Sequence, residues 1–133
     1  EEGLCTKVFL LKLTPGLDPG IFDLLLAGEY QGILIEAFGA GGLHYLHRDL
    51  YEKLEALREK EIPVVVASQC LYEPSDLSRY EVGQLALAKG VISAQDMTSE
   101  GALTKLMWVL ARTRGVENVR AWFRASMAAE IRP

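Results

Sequence analysis

The chain carries the run GILIEAF at residues 32–38, followed at once by the glycine-rich stretch GAGG at 39–42. A short apolar run of this kind is typical of a β-strand that is buried on both faces. A second such run, Val64 to Ala67, contains three successive valines, whose branched side chains favour extended backbone. The two runs predict buried strands of a parallel sheet.

Outward from these runs, short apolar segments alternate with segments of helical periodicity. Two further strands are predicted at Val8 to Leu13 and at Val91-Ile92, and the two runs above cover Gly32 to Phe38 and Val64 to Ala67. Strands that alternate with helices indicate the α/β class. We therefore expect a three-layer αβα sandwich, Rossmann-like or flavodoxin-like, with a small parallel sheet of about four strands.

The predicted helices are placed by their caps and their apolar stripes. Asp18 is expected to cap a helix that ends at Gly28, and Asp49 to cap the next one. Three more helices are predicted at Leu77 to Lys89, Ser99 to Arg112 and Val116 to Ile131. The expected buried positions of the second, fourth and fifth helices are Leu50, Leu54, Leu57, Leu103, Leu106, Met107, Leu110, Val119, Trp122, Phe123 and Met127.

Length and composition restrict the class of protein. At 133 residues the chain is expected to form a single domain, residues 1–133. A net charge of −4 disfavours nucleic-acid binding through a basic face, and no apolar run is long enough to span a membrane. Two cysteines, Cys5 and Cys70, are too few for a disulfide framework, which favours a cytoplasmic location. No metal site is predicted, because His44 and His47 lack further ligands at a suitable spacing.

The residues that could carry chemistry leave two interpretations open. Strand ends at Ser68-Gln69-Cys70 and the glycines after Phe38 lie where α/β proteins bind small ligands, and the same glycines also suit a tight turn. Glu81 is either a first-turn carboxylate favoured by the helix dipole or a group that binds an ammonium. A nucleophile with its base is not recognisable, so no catalytic residue is assigned.

Several ordered motifs resemble one family over nearly the whole chain. They are IEAFGAGG at 35–42, SQC at 68–70, RYEVG at 79–83, GVI at 90–92 leading into DMT at 96–98, and LTKLMW at 103–108. The chain resembles the C-terminal domain of the type I, cytoplasmic-type L-asparaginases, a group that includes the asparaginase-like subunit of the archaeal glutamyl-tRNA amidotransferase.

The resemblance implies hydrolysis of L-asparagine to L-aspartate and ammonia without a cofactor, by an N-terminal domain whose threonine motifs are absent from this sequence. It implies a homodimer or homotetramer in which Glu81 holds the substrate amino group of the neighbouring subunit. Phe38, Gly39, Gly41 and Gly42 would line the same region. In some members an effector asparagine binds a second site, which would involve Cys70 together with Gln69 and Ser68.

Two alternatives to an asparaginase remain open at this point. One is the amidotransferase subunit, which works with a partner subunit on a tRNA-bound substrate. The other is a stand-alone sensor domain that binds asparagine without turnover.

Overall fold

The computed structural model describes residues 3–13, 18, 20–37, 48–68, 91–94 and 97–125. Its strands are β1 (Val8–Leu13), β2 (Gly32–Ala37), β3 (Val64–Ser68) and β4 (Ile92–Ser93). They form one sheet in the order β1-β2-β3-β4, and every neighbouring pair is parallel. The predicted α/β class and the parallel sheet of four strands are confirmed.

Four described helices flank this sheet. They are α1 (Gly20–Ala27), α2 (Arg48–Glu59), α3 (Ser99–Leu110) and α4 (Val116–Arg124). The predicted helix at Leu77 to Lys89 lies outside the described residues.

Two apolar cores, one on each face of the sheet, account for the near-continuous apolar runs of the strands. Successive side chains of a strand point to opposite faces, so Ile33 and Ile35 of β2 enter one core while Leu34 enters the other. The first core lies under α1 and α2, with Phe22, Leu25, Leu54 and Leu57. The second lies under α3 and α4, with Leu106, Leu110, Val119 and Phe123. The three-layer arrangement is thereby confirmed.

The described strands follow one another across the sheet in chain order, so this part of the sheet contains no point where the order reverses. In open α/β sheets the ligand crevice lies at such a reversal, outside the carboxyl ends of the strands. Strand order therefore marks no crevice here, and a site has to be located from the residues at the sheet edges.

Two of the predicted helix ends are wrong. The helix α2 begins at Arg48, so Asp49 lies within it and does not cap it. The helix α4 ends at Arg124 and not at Ile131, because Ala125 has extended backbone with ψ 140°.

Smaller differences affect single turns and faces. The helix α3 ends at Leu110, two residues before the predicted Arg112. Its buried face contains Leu106 and Leu110 as predicted, but Leu103 and Met107 are only half-buried. Of the remaining predicted core positions, the side chain of Leu50 and the residue Met127 lie outside the described part of the chain.

The starts of two helices are stabilised in different ways, one by a neighbouring residue and the other by a distant one. The carboxylate of Asp18 accepts a hydrogen bond from the amide of Gly20 at 3.0 Å, which confirms Asp18 as a cap. Gly115 is the residue directly before α4, and its φ of +97° is a conformation that glycine adopts readily and other residues do not. The first amide of α4, on Val116, donates to the Glu61 carboxylate at 2.9 Å.

Candidate functional site

The carboxyl ends of the parallel strands share one edge of the sheet, which is here called the carboxyl edge. Ala37, the last residue of β2, is the register partner of Leu13 on β1 and of Ser68 on β3. On the other side of β3, Val66 pairs with Ser93 of β4. The chain therefore leaves β2 and β3 from adjacent positions, each just before a segment that contains predicted site residues.

Ser68 is the one predicted site residue whose backbone the structure describes. It is the last residue of β3, and it lies beside Ala37 at the carboxyl edge. The other predicted site residues lie outside the described part of the chain: Phe38, Gly39, Gly41, Gly42, Gln69, Cys70 and Glu81. Their proposed roles stay predictions.

A buried carboxylate lies one residue before the end of β2, and the sequence patterns assign it no role. The Glu36 residue is 8% exposed, and one of its oxygens is 3.9 Å from the ammonium of Lys12 on β1. Glu36 pairs in register with Lys12 on one side and with Ala67 on the other. Burying a carboxylate is costly, so an acidic residue within an otherwise apolar strand is unexpected unless it has a role. The position of Glu36 near the end of such a strand is therefore the signal that could have identified it.

The amino end of α3 lies at the same edge, where a short connection of five residues joins it to β4. The hydroxyl of Thr98 accepts a hydrogen bond from the amide of Gly101 at 3.0 Å and caps the helix. Met97 beside it is 2% exposed and belongs to the second core. The DMT motif thus supplies the helix cap through its threonine, while Asp96 lies outside the described residues.

Lys105 is a second buried charge that the sequence patterns do not identify. It is 5% exposed, its ammonium donates to the carbonyl of Ala125 at 3.2 Å, and it lies 5.2 Å from the centre of the Phe123 ring. A cation at the carboxyl end of a helix complements the helix dipole, so Lys105 stabilises the end of α4. Its signal is its spacing, since it falls within the buried stripe 102, 105, 106, 109 and 110 of α3.

Within the described part of the chain we searched for a metal site and for a membrane-spanning helix. This part of the chain contains no group of three or more histidine, cysteine or acidic side chains arranged to hold a metal ion. The two histidines, His44 and His47, lie outside it. Within the same residues, every helix is too short or too polar to cross a bilayer.

Comparison with known proteins gives the same assignment by sequence and by structure. The family model for the glutaminase/asparaginase C-terminal domain matches residues 7–123. An L-asparaginase of Thermococcus kodakarensis is 48% identical over 132 residues, covering 98% of this chain and 39% of that protein. The thermostable L-asparaginase structure from the same organism superposes with a TM-score of 0.82 at 44% identity, over 98% of this chain and 39% of that one.

A second kind of relative matches over the same length. A glutamyl-tRNA(Gln) amidotransferase subunit of Aeropyrum pernix is 37% identical over 131 residues, covering 98% of this chain and 30% of that protein. The chain therefore spans between 30 and 39% of the length of these curated relatives. Since the family model covers most of the chain, the chain belongs to the glutaminase/asparaginase C-terminal domain family.

Proposed function

We propose that this chain is the C-terminal domain of an L-asparaginase that hydrolyses L-asparagine to L-aspartate and ammonia. The observation that carries the proposal is the 48% identity to an L-asparaginase over 98% of the chain. Because the chain covers 39% of that relative, the threonine nucleophiles and the remaining catalytic groups belong to an N-terminal domain outside this sequence. On its own the chain is expected to be inactive.

The contribution of this domain to catalysis is to complete the substrate site of a neighbouring subunit. Glu81 accepts a charge-assisted hydrogen bond from the substrate ammonium, and Phe38, Gly39, Gly41 and Gly42 form the adjacent wall. The paired positions of Ala37 and Ser68 support this assignment, since the segment that begins with Phe38 leaves the sheet beside the segment that leads on to Glu81. The assembly is a homodimer or a homotetramer in the cytoplasm.

An effector site is the second part of the proposal. Cys70, Gln69 and Ser68 follow or end β3, next to the segment that lines the substrate region. Asparagine bound there would alter the affinity of the substrate site, and by linkage substrate binding would alter the affinity of the effector site by the same factor. Replacing Cys70 by serine in the full-length enzyme should reduce sigmoidal dependence of the rate on asparagine; an unchanged curve argues against this site.

The test of the enzymatic assignment is ammonia release by the full-length protein, measured with asparagine and separately with glutamine. Turnover of free asparagine is the expected result. The 133-residue chain alone, assayed at the same molar concentration, is the matched comparison and should release none. If the full-length protein turns over neither amide, the asparaginase assignment is wrong.

The amidotransferase subunit is the second candidate function. The 37% identity to such a protein from Aeropyrum pernix, over 98% of the chain, favours it specifically. An amidotransferase of this kind would release ammonia only in the presence of its partner protein and the charged tRNA. Purification of the full-length protein from its own cells, followed by an assay of free asparagine, separates the two: stable co-purification of a second protein without free turnover supports the amidotransferase.

A further inference from the structure

We propose that a cleft at the opposite edge of the sheet binds a small oxyanion, either inorganic phosphate or a short carboxylate. The cleft lies at the amino ends of β2 and β3, because Gln31 directly precedes β2 and Ile62 lies two residues before β3. Its volume is about 240 Å³. That is smaller than the roughly 300–1,000 Å³ of pockets for drug-sized ligands, so the volume favours a small occupant.

The charge of the lining favours an anion. Lys60 and Arg114 contribute two positive charges and Glu61 one negative charge, so the lining is net positive by one, whereas the whole chain carries −4. The carboxylate of Glu61 is already held, since its Oε1 accepts the Val116 amide at 2.9 Å. Lys60 and Arg114 are therefore the charged groups of the cleft that can still donate hydrogen bonds to a ligand.

Both cations keep N–H groups for a ligand. The ammonium of Lys60 reaches the carbonyl of Leu26 at 3.4 Å, and Nε of Arg114 reaches the carbonyl of Leu110 at 3.4 Å. These distances are at the outer limit for hydrogen bonds, whose N···O separation is commonly about 2.9–3.0 Å. The terminal guanidinium nitrogens of Arg114 form no hydrogen bond or ion pair with the described residues. A planar fork of donors suits a phosphate or a carboxylate in particular.

Two neutral side chains add donors to the same cleft. Gln31 uses its Oε1 to accept from the Cys5 thiol at 3.2 Å, which leaves its NH₂ group as the remaining donor. Tyr30 contributes a phenol, and its ring is held edge-to-face against Phe9 with the ring centres 5.4 Å apart. Four donor side chains and one engaged carboxylate thus surround the cleft.

The backbone beside the cleft has one uncommon conformation. Glu61 has a φ of +61°, which few residues with a side chain adopt. Conformations of this kind persist where the surrounding structure enforces them, and they cluster at binding sites. This site is distinct from the carboxyl edge, and it does not depend on the proposed enzymatic function.

The test is isothermal titration of the full-length protein with sodium phosphate and, separately, with sodium acetate at constant ionic strength. Saturable binding of one ion per chain is expected. The anion that binds shows whether the cleft takes a phosphate or a carboxylate. The variants Lys60→Gln and Arg114→Gln should each weaken binding by about tenfold, because each removes a charge-assisted hydrogen bond. Tyr30→Phe, which removes one hydroxyl, should weaken it by a smaller factor.

The control is Arg124→Gln, which removes an exposed cation at the far end of α4, about 13 Å from Gly115 along the helix axis. Its affinity should equal that of the unmodified protein. An equal loss in this control, no saturable binding of either anion, or unchanged affinity in both cleft variants would overturn the proposal. Because titration does not require asparagine turnover, failure of this site and failure of the enzymatic assignment are separate results.

Discussion

At the scale of single residues, close packing at Gly32 is the clearest constraint. A Cβ added at Gly32 would lie 2.6 Å from Cδ1 of Leu110, a methyl group within the second core. Leu110 is 2% exposed, so its methyl can move only by displacing other core atoms. The absence of a side chain at the start of β2 is what lets α3 approach the sheet so closely.

Gly32→Ala should therefore destabilise this chain by about 1 kcal/mol, at the low end of overpacking costs, as measured by urea denaturation. The control is Gly20→Ala. The Cβ built at Gly20 lies 3.4 Å or more from its neighbours, and alanine favours the helix, so stability should stay equal or rise. If both variants gain stability, the α3–sheet contact is looser than the structure indicates.

At the scale of elements, the start of α3 depends on one hydroxyl. Thr98→Ala removes the acceptor for the Gly101 amide, and loss of such a cap costs about 1 kcal/mol. Thr104→Ala is the matched control, because Thr104 is exposed in the interior of the same helix, where alanine is the better helix former. Denaturation should show a loss for the first variant and none for the second; equal effects would mean that the hydroxyl of Thr98 does not cap α3.

The start of α4 depends on a contact from a distant part of the chain. Glu61 accepts from Val116, 55 residues away, and holds a φ of +61° while it does so. Glu61→Ala loses the acceptor and keeps a side chain in a strained conformation, whereas Glu61→Gly loses the acceptor and relieves the strain. The glycine variant should be more stable than the alanine variant by about 1 kcal/mol. Equal denaturation midpoints would indicate that the turn relaxes without glycine.

At the scale of the whole molecule, the prediction concerns the site shared between subunits. Glu81→Gln in the full-length protein should lower kcat/KM for asparagine about 30-fold, since a hydrogen bond between charged groups contributes about 2 kcal/mol. Glu117→Gln is the control, because Glu117 is exposed in the first turn of α4 and lies at the opposite edge of the sheet. Steady-state ammonia release measures both variants.

A mixed-subunit experiment examines whether Glu81 acts on its own subunit or on its neighbour. A variant with an inactivated N-terminal domain, mixed with Glu81→Gln, should recover part of the activity, because one shared site then contains both intact halves. Recovery no greater than the sum of the separate variants would contradict the trans arrangement.

Local patterns in the sequence are sufficient for much of this fold. The apolar runs at β1, β2 and β3 predict strands within one residue of their described bounds, since strands buried on both faces have few polar residues. Asp18 is recognisable as a cap because capping involves neighbouring residues only. The end of α4 is not recognisable from the sequence, because the carbonyl of the extended Ala125 accepts a hydrogen bond from Lys105 of another helix.

The amino-acid sequence alone is enough for the α/β class, the family, and the presence of strands that end next to the predicted site segments. The strand order, the burial of Glu36 and Lys105, and the contact from Glu61 to Val116 emerge only from the folded chain. The physical reason is the range of the interactions involved. Periodicity, capping and strand propensity act between residues that are close in the chain, whereas burial of a charge and closure of a cleft depend on segments that meet only after folding.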